Sequence, residues 1–383
     1  MCLVFYQTTK PKKVETTKIM KKYCIGCGRE LQNTNKKKLG YVVNLDNDYC
    51  YRCFRIKNYN DLVQIDDIEE SQFEKNISQL ILENKKQNRF FYILDVFNLD
   101  ASRIRSLERI LSAEDTTIVV NKVDLLPKST NYGKILEYVE EMFNFGDLKD
   151  VEIVLFSSVK NWGIDELVES LEDQENNYFI GKTNVGKSSI INSILKSVGE
   201  TPKIVESYFL NTTIDTIEIQ YSENMKIIDT PGIAETNSFS DIVEQKDLKY
   251  LFFKKEVKQL SYRIDKKQSF AYGNIFGLNL ELSGERDVHF YVNPTVDFHR
   301  TKSDNFRDYI LKNFDELHPS LIEETEYEEI FITIDDDLIG RKVDVFIQDL
   351  GWASFNLKRD DKVSYFLPKN TIKPLVELRN SLI

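Results

Sequence analysis

The hydrophobic positions of this chain fall into short, dense runs rather than one long apolar stretch. Residues 90–94, 116–120, 151–156 and 225–228 are rich in apolar and β-branched side chains, which predicts strands buried within a largely parallel sheet. Tyr178-Phe179-Ile180 is another such run. It passes through a polar, glycine-containing loop into Ser189-Ile190-Ile191-Asn192-Ser193-Ile194-Leu195, a pattern that reads strand, loop, helix. Residues 103–111 are expected to be helical, residues 287–292 and 342–347 to be strands, and residues 303–314 to form a further helix.

These elements suggest an α/β fold, a mostly parallel doubly wound sheet, followed by a C-terminal α+β domain. At 383 residues the chain is long enough for two or three cores. The expected division is an extension (1–20), a cysteine-bearing module (21–60), a nucleotide-binding domain (61–240) and a C-terminal domain (241–383). No apolar run approaches the ~20 residues that a membrane span requires, and the first residues lack the apolar core of a secretory signal. A cytoplasmic location with no membrane partner is expected, an organellar transit peptide being the alternative for the basic start.

Charge changes the picture. The net charge of −11 hides a basic segment, since residues 1–60 hold 13 Lys+Arg against 4 Asp+Glu, and the rest of the chain is strongly acidic. Any nucleic-acid contact is therefore expected to be local. The alternative is that these lysines only solubilise a small module. The C-terminal domain is nearly balanced, although Lys254, Lys255, Arg263, Lys266, Lys267, Arg300 and Lys302 form a candidate phosphate-binding stripe. Against it stands the acidic segment 323–329. Trp352, beside Gly351, is read as packed core rather than as a base-stacking platform.

The loop after Ile180 carries the sharpest chemistry. Gly181-Lys182-Thr183-Asn184-Val185-Gly186-Lys187-Ser188 fits G-x4-G-K-[ST] and is followed by Ser189. In this pattern backbone N–H groups wrap phosphates at a helix N-terminus, the lysine reaches the β- and γ-phosphates, and the serine hydroxyl meets Mg2+. Asn121-Lys122-Val123-Asp124, at the end of the 116–120 strand, is a guanine reader: the Asp124 carboxylate accepts from N1–H and N2–H, which adenine cannot offer, while the Lys122 stem lies along the ring. Ser157-Ser158 ends the next strand, where a backbone N–H would meet the guanine O6. After the P-loop come Thr212-Thr213 and Asp229-Thr230-Pro231-Gly232. Thr213 is the candidate Mg2+ threonine, Asp229 would hold a metal-bound water, and the Gly232 N–H would sense the γ-phosphate. GTP or GDP with Mg2+ is thus the expected ligand, and no small-molecule substrate beyond GTP is indicated.

The order of these motifs is rotated. A conventional GTPase runs P-loop, threonine, D-x-x-G, N-K-x-D, then the serine loop, whereas here the last two come first. The loops at the carboxyl ends of a parallel sheet still converge on one crevice whatever the connectivity. Ile233 follows Gly232 where a water-orienting glutamine often stands, and can neither orient nor activate water. Asn184 is read either as a K+ ligand that replaces an arginine finger or as a structural loop asparagine. Slow intrinsic turnover is expected.

Upstream, Cys24-Ile25-Gly26-Cys27 and Cys50-Tyr51-Arg52-Cys53 are two C-x2-C pairs. Each pair aims two thiolates at one point, and the two together complete a tetrahedral S4 shell with no open position, the pattern of structural zinc, although iron has the same ligand set available. Cys2 stands apart. His289, His299 and His318 show no metal-ligand spacing.

Together these residues resemble the YqeH-type family of circularly permuted GTPases. The likeness rests on Cys24-Ile25-Gly26-Cys27-Gly28, Cys50-Tyr51-Arg52-Cys53-Phe54-Arg55, the rotated motifs, His299-Arg300-Thr301-Lys302 and Asp349-Leu350-Gly351-Trp352. It spans residues 21–383. Leu210-Asn211-Thr212-Thr213 departs from the family's Pro-Gly-Thr-Thr. The resemblance implies GTP hydrolysis and a role in small ribosomal subunit assembly, with that subunit or its rRNA as partner. The other reading is a zinc- and RNA-binding adaptor that holds GTP as a structural ligand. Intact Lys187, Ser188 and Asp229 favour the enzyme, and Ile233 keeps the adaptor open.

Overall fold

In the computed structural model, the described residues are 88–171, 176–197, 217–222, 224–230 and 237–383, together with 22, 31–34, 41–42, 44–45, 47–50, 78, 204–205 and 232–233. The chain divides into two compact units, Met1–Asp66 and Asp67–Ile383. In the first, Leu31, Val42 and Cys50 share a small buried cluster.

The second unit is organised by two sheets. Strands β1 (Asn88–Asp95), β2 (Thr116–Asn121), β3 (Glu152–Leu155), β4 (Asn176–Ile180), β5 (Ile204–Val205), β6 (Ile217–Gln220) and β7 (Lys226–Asp229) form a mixed sheet in the order β3-β2-β1-β4-β7-β6-β5. The first five in that order are parallel, and β6 and β5 continue the edge antiparallel. Successive side chains of a strand point to opposite faces, and β1 shows both faces buried. Phe90, Tyr92 and Leu94 enter one core, while Phe91 and Ile93 enter the other. Helix α1 (Tyr132–Phe143) covers the first face through Ile135, Val139, Met142 and Phe143. Helices α2 (Ile164–Leu171) and α3 (Lys187–Ser197) cover the second. The runs that predicted strands at 90–94, 116–120, 151–156 and 225–228 all lie in or across β1, β2, β3 and β7.

The expected helix at 103–111 is not there. That stretch is a series of turns with one 3-10 turn at Leu107–Arg109. Side chains hold it in this form. The Ile104 N–H donates to the Tyr92 hydroxyl, and buried Arg103 forks onto both carboxylate oxygens of Glu108, at 2.9 and 2.6 Å. These bonds fix the backbone from outside, so the local period does not decide it.

The second sheet holds β8 (Gln259–Tyr272), β9 (Phe276–Val292), β10 (Phe298–Thr301), β11 (Tyr327–Phe331), β12 (Lys342–Ile347), β13 (Gly351–Asn356), β14 (Lys362–Pro368) and β15 (Val376–Asn380). All its pairings are antiparallel, around the long β8–β9 hairpin. The expected α+β character reduces, among the described residues, to the short helix α4 (Phe306–Lys312) flanked by 3-10 turns.

The two sheets share a core. Phe253, Val257, Tyr291, Trp352 and Leu382 join the α1 face of the first sheet. Phe97, just after β1, stacks on Phe253 at 4.0 Å and lies 6.0 Å from Trp352, which itself stacks on Tyr291 at 5.0 Å. Trp352 is packed core, as its sequence setting suggests. No helix among the described residues is long and apolar enough to cross a membrane.

Candidate nucleotide site

The motif-bearing loops after β2, β3, β4 and β7 meet at the carboxyl edge of the parallel strands, where open α/β sheets bind ligands. The loop after β4 turns sharply through Gly181, Asn184 at φ +64° and Gly186 at φ +98°. Gly186 is required twice over: its backbone is one that side chains rarely adopt, and a Cβ there would sit 2.3 Å from Asn121 Nδ2. That Asn121 amide donates to Val185 O at 2.9 Å and so ties the guanine-reading loop to the P-loop. Asn121 Oδ1 is buried without a partner among the described residues.

Lys187 opens α3, and its ammonium donates to Gly181 O and Lys182 O, both at 2.9 Å. It is therefore curled over the loop whose backbone would cradle phosphates. Ser188 Oγ donates to Asp229 Oδ2 at 2.9 Å. A hydroxyl and a carboxylate at this separation are the hard oxygen donors that suit Mg2+. Ser189 follows in the first turn of α3, and Val185 is buried in the core beneath it. Lys182 Nζ donates to Ala101 O.

Gly232 and Ile233 run alongside the P-loop. Thr183 N–H donates to Ile233 O at 3.0 Å, and the Ile233 N–H donates to Gly181 O at 3.4 Å. A Cβ on Gly232 would lie 2.9 Å from the Thr183 Cα, so only glycine allows this approach. Ile233 itself is fully buried in the α1-side core. It packs and faces no water. Thr213, Thr212, Asn211 and Pro231 lie outside the described residues.

On the base side, Lys122 has φ +69° and donates to Asn184 O at 2.8 Å and to Asp95 Oδ2 at 2.5 Å. Asp124 sits in the 3-10 turn Val123–Leu125 and is 9% exposed. Tyr132 stands near enough that the Asp124 charge adds to burial in raising its hydroxyl pKa, with Glu256 contributing less. The loop after β3 closes on itself, the Ser157 N–H donating to Trp162 O and the Lys160 N–H to Ser157 Oγ. Ser158 O accepts from Ser193 Oγ of α3 at 3.4 Å.

Three residues of this region escaped the motif reading. Asp95 ends β1 and pairs with Lys122. Asn98 and Asp349 bond to each other reciprocally, Asn98 Nδ2 to Asp349 Oδ1 at 3.1 Å and the Asp349 N–H to Asn98 Oδ1 at 2.9 Å. Asp349 Oδ2 also accepts from Ser238 Oγ, nine residues beyond Asp229. Burial pushes the Asp349 carboxyl up to about 6, and the nearby Asp95 charge adds to it. Asp95 carried a sequence signal as an acid at the carboxyl end of a buried strand, Asp349 only as part of the family stretch Asp349-Leu350-Gly351-Trp352, and Asn98 none.

Of the cysteine quartet, Cys24, Cys27 and Cys53 lie outside the described residues, and Cys50 is buried. In the candidate phosphate stripe, Arg263 already pairs with Glu285 at 2.7 Å, and Arg300 lies over the Tyr262 ring and donates to Gln268.

The RsgA GTPase family model matches residues 96–239. The chain is 34% identical over 374 residues to the uncharacterized protein YqeH of Bacillus subtilis, covering 94% of this chain and 99% of that protein. It is 23% identical to the chloroplastic GTP-binding protein Brassinazole insensitive pale green 2 of Arabidopsis thaliana, covering 86% of this chain and 56% of the plant protein. Among solved structures it is similar to YjeQ of Thermotoga maritima, at 22% identity, a TM-score of 0.27 and coverage of 38% of this chain and 48% of that one. With the rotated motif order, the likeness to YqeH over nearly the whole of both chains and the match to the RsgA GTPase model make the chain a member of the YqeH family of circularly permuted GTPases, a GTP-hydrolysing enzyme.

Proposed function

We propose that this GTPase acts in assembly of the small ribosomal subunit, contacting the subunit or its rRNA through its basic first 60 residues and its C-terminal domain. The single observation that carries the nucleotide chemistry is the pairing of Ser188 with Asp229 beside a lysine curled onto the P-loop carbonyls. In this reading Lys187 swings from those carbonyls onto the β- and γ-phosphates, and Ser188, Thr213 and Asp229 order Mg2+ and its water. Asp124 and Lys122 select guanine. Gly232 follows the γ-phosphate, and Asn184 holds K+.

The four cysteines, Cys24, Cys27, Cys50 and Cys53, hold structural zinc and give the short 21–60 module folding energy that its few apolar residues do not supply. The protein works in the cytoplasm, with domains at 61–240 and 241–383. The ribosomal reading is supported by the family and by the charge of the first 60 residues, +9 from 13 basic and 4 acidic side chains. Ile233, which stands where a water-orienting glutamine often does, is buried and aligns no attacking water. Turnover is therefore slow until a partner docks.

The test is phosphate release from GTP and from ATP, in K+ and in Na+ buffers, with and without purified small ribosomal subunits. Turnover specific to GTP and stimulated by the particle supports the assembly role. Turnover indifferent to the particle removes it.

A further inference from the structure

The guanine-reading lysine is held by a group that none of the nucleotide motifs contains. Asp95 closes β1 directly opposite Asn121 in the β1–β2 register. It is 7% exposed and locked in place: its Oδ1 accepts from the Phe97 N–H at 3.0 Å, and its own N–H donates to Ser102 Oγ at 3.2 Å. Its remaining oxygen, Oδ2, lies 2.5 Å from Lys122 Nζ. The same ammonium reaches Asn184 O of the P-loop. The Lys122 ammonium is thus held by two acceptors, one at the end of β1 and one in the P-loop after β4. A free lysine side chain has many rotamers to lose on binding, and pinning its head before the ligand arrives removes that cost from binding.

We infer that Asp95 is a positioning residue for guanine nucleotides: it holds the Lys122 stem in the extended form that lies along the base. The loop that carries Asp95 is itself gripped from the C-terminal sheet. The Asn98 side-chain amide bonds Asp349 through both its nitrogen and its oxygen, and Phe97 stacks on Phe253 and lies against Trp352. Base affinity is therefore set partly by residues more than 200 positions from the motif.

This inference rests on Asn121-Lys122-Val123-Asp124 being the guanine reader. The experiment compares Asp95→Asn, Asp95→Ser, Lys122→Met and the Asp95→Asn/Lys122→Met double variant by calorimetric titration of GDP and by steady-state GTP hydrolysis. Asn and Ser both keep an oxygen for the Phe97 N–H while removing the charge, and thermal melting checks that each variant is folded. A charge-assisted hydrogen bond lost at this site predicts a rise in the GDP Kd of about tenfold. The loss is expected to appear in KM for GTP more than in kcat. Added to Lys122→Met, Asp95→Asn should weaken GDP binding by no more than about twofold.

Wild-type GDP affinity in both Asp95 variants, with Lys122→Met weakened, overturns the positioning role alone. So does a full additional loss in the double variant, which would mark Asp95 as acting on the fold rather than through Lys122. Unchanged affinity in Lys122→Met overturns the guanine-reader assignment itself.

Discussion

Replacing Trp352 by alanine tests whether the two sheets of the second unit are one folding unit. The indole is 3% exposed and stacks on Tyr291 at 5.0 Å with the planes 20° apart. Its other neighbour, Phe97, belongs to the loop after β1 and lies face to face with Phe253 at 4.0 Å. Truncation to alanine opens a hole walled by both sheets, and neither can collapse into it alone. Large aromatic-to-alanine changes in such sites cost about 3–5 kcal/mol, of which each lost aromatic pair supplies about 0.5–1.5 kcal/mol. Against a typical total stability of ~5–15 kcal/mol this is severe. With a guanidinium slope of about 5 kcal/mol per molar, the midpoint should fall by roughly 0.8 M.

The assay is favourable because the chain has two tryptophans. In Trp352→Ala the remaining one, Trp162, sits against Tyr132 at 5.7 Å in the nucleotide-binding half and reports only there. The control is Phe331→Ala, a side chain 64% exposed on β11, which should change stability by no more than ~0.5 kcal/mol. If the Trp162 transition in Trp352→Ala lies no lower in denaturant than the unfolding transition of this control followed by far-ultraviolet circular dichroism, the shared core contributes nothing to holding the nucleotide-binding half, and the reasoning fails.

Gly186→Ala places a Cβ on a φ of +98° and 2.3 Å from Asn121 Nδ2, so Asn121 must leave Val185 O. GDP affinity by calorimetry should fall at least about fivefold, given ~1–3 kcal/mol of strain; undiminished affinity would show that the loop relaxes freely. Asp349, raised from 3.8 to about 6 chiefly by burial, keeps in the native state a proton that the unfolded chain releases. Its contribution to stability is thus present below about pH 4 and lost as pH rises to about 6, by up to roughly 3 kcal/mol. Asp349→Asn should therefore gain on the wild type between pH 4.5 and pH 7 in denaturant midpoints, and a pH-independent difference would contradict this. Asp361 has a fully buried side chain and accepts from Arg286 at 2.6 and 3.0 Å, from the Ser283 N–H at 2.8 Å and from the Lys358 N–H at 2.7 Å. Asp361→Ala leaves the buried guanidinium without its counter-ion and should cost about 3–5 kcal/mol in urea unfolding, whereas Glu285→Ala, which breaks the solvent-exposed pair with Arg263, should leave the urea midpoint at the wild-type value; similar losses in the two would refute the distinction.

What could be read from the chain and what could not divide along the range of the interactions. The P-loop is legible because its function is local: glycines where the backbone turns at positive φ, a lysine and a serine at fixed offsets, all within residues 181–188. The strands of the first sheet are legible because both faces are buried, so their runs are dense. Most of the second sheet is not, because β8 reads Gln-Leu-Ser-Tyr-Arg-Ile-Asp-Lys-Lys-Gln-Ser-Phe-Ala-Tyr, and its register shifts between Ile264 and Lys266. An alternation broken midway gives no clean period of two. The stretch 103–111 has a helical look, yet its shape is imposed by Tyr92 and by the Arg103–Glu108 pair. Asp349 is the extreme case. Sequence marked it only as part of a family stretch, while its partner Asn98 is 251 positions away and belongs to the loop that carries the counter-ion of Lys122. Motifs reveal the atoms that would touch a nucleotide; the residues that hold those atoms in place are joined only by folding. In this GTPase they run from Lys122 through Asp95 and Asn98 to Asp349 in the turn between β12 and β13 of the C-terminal sheet.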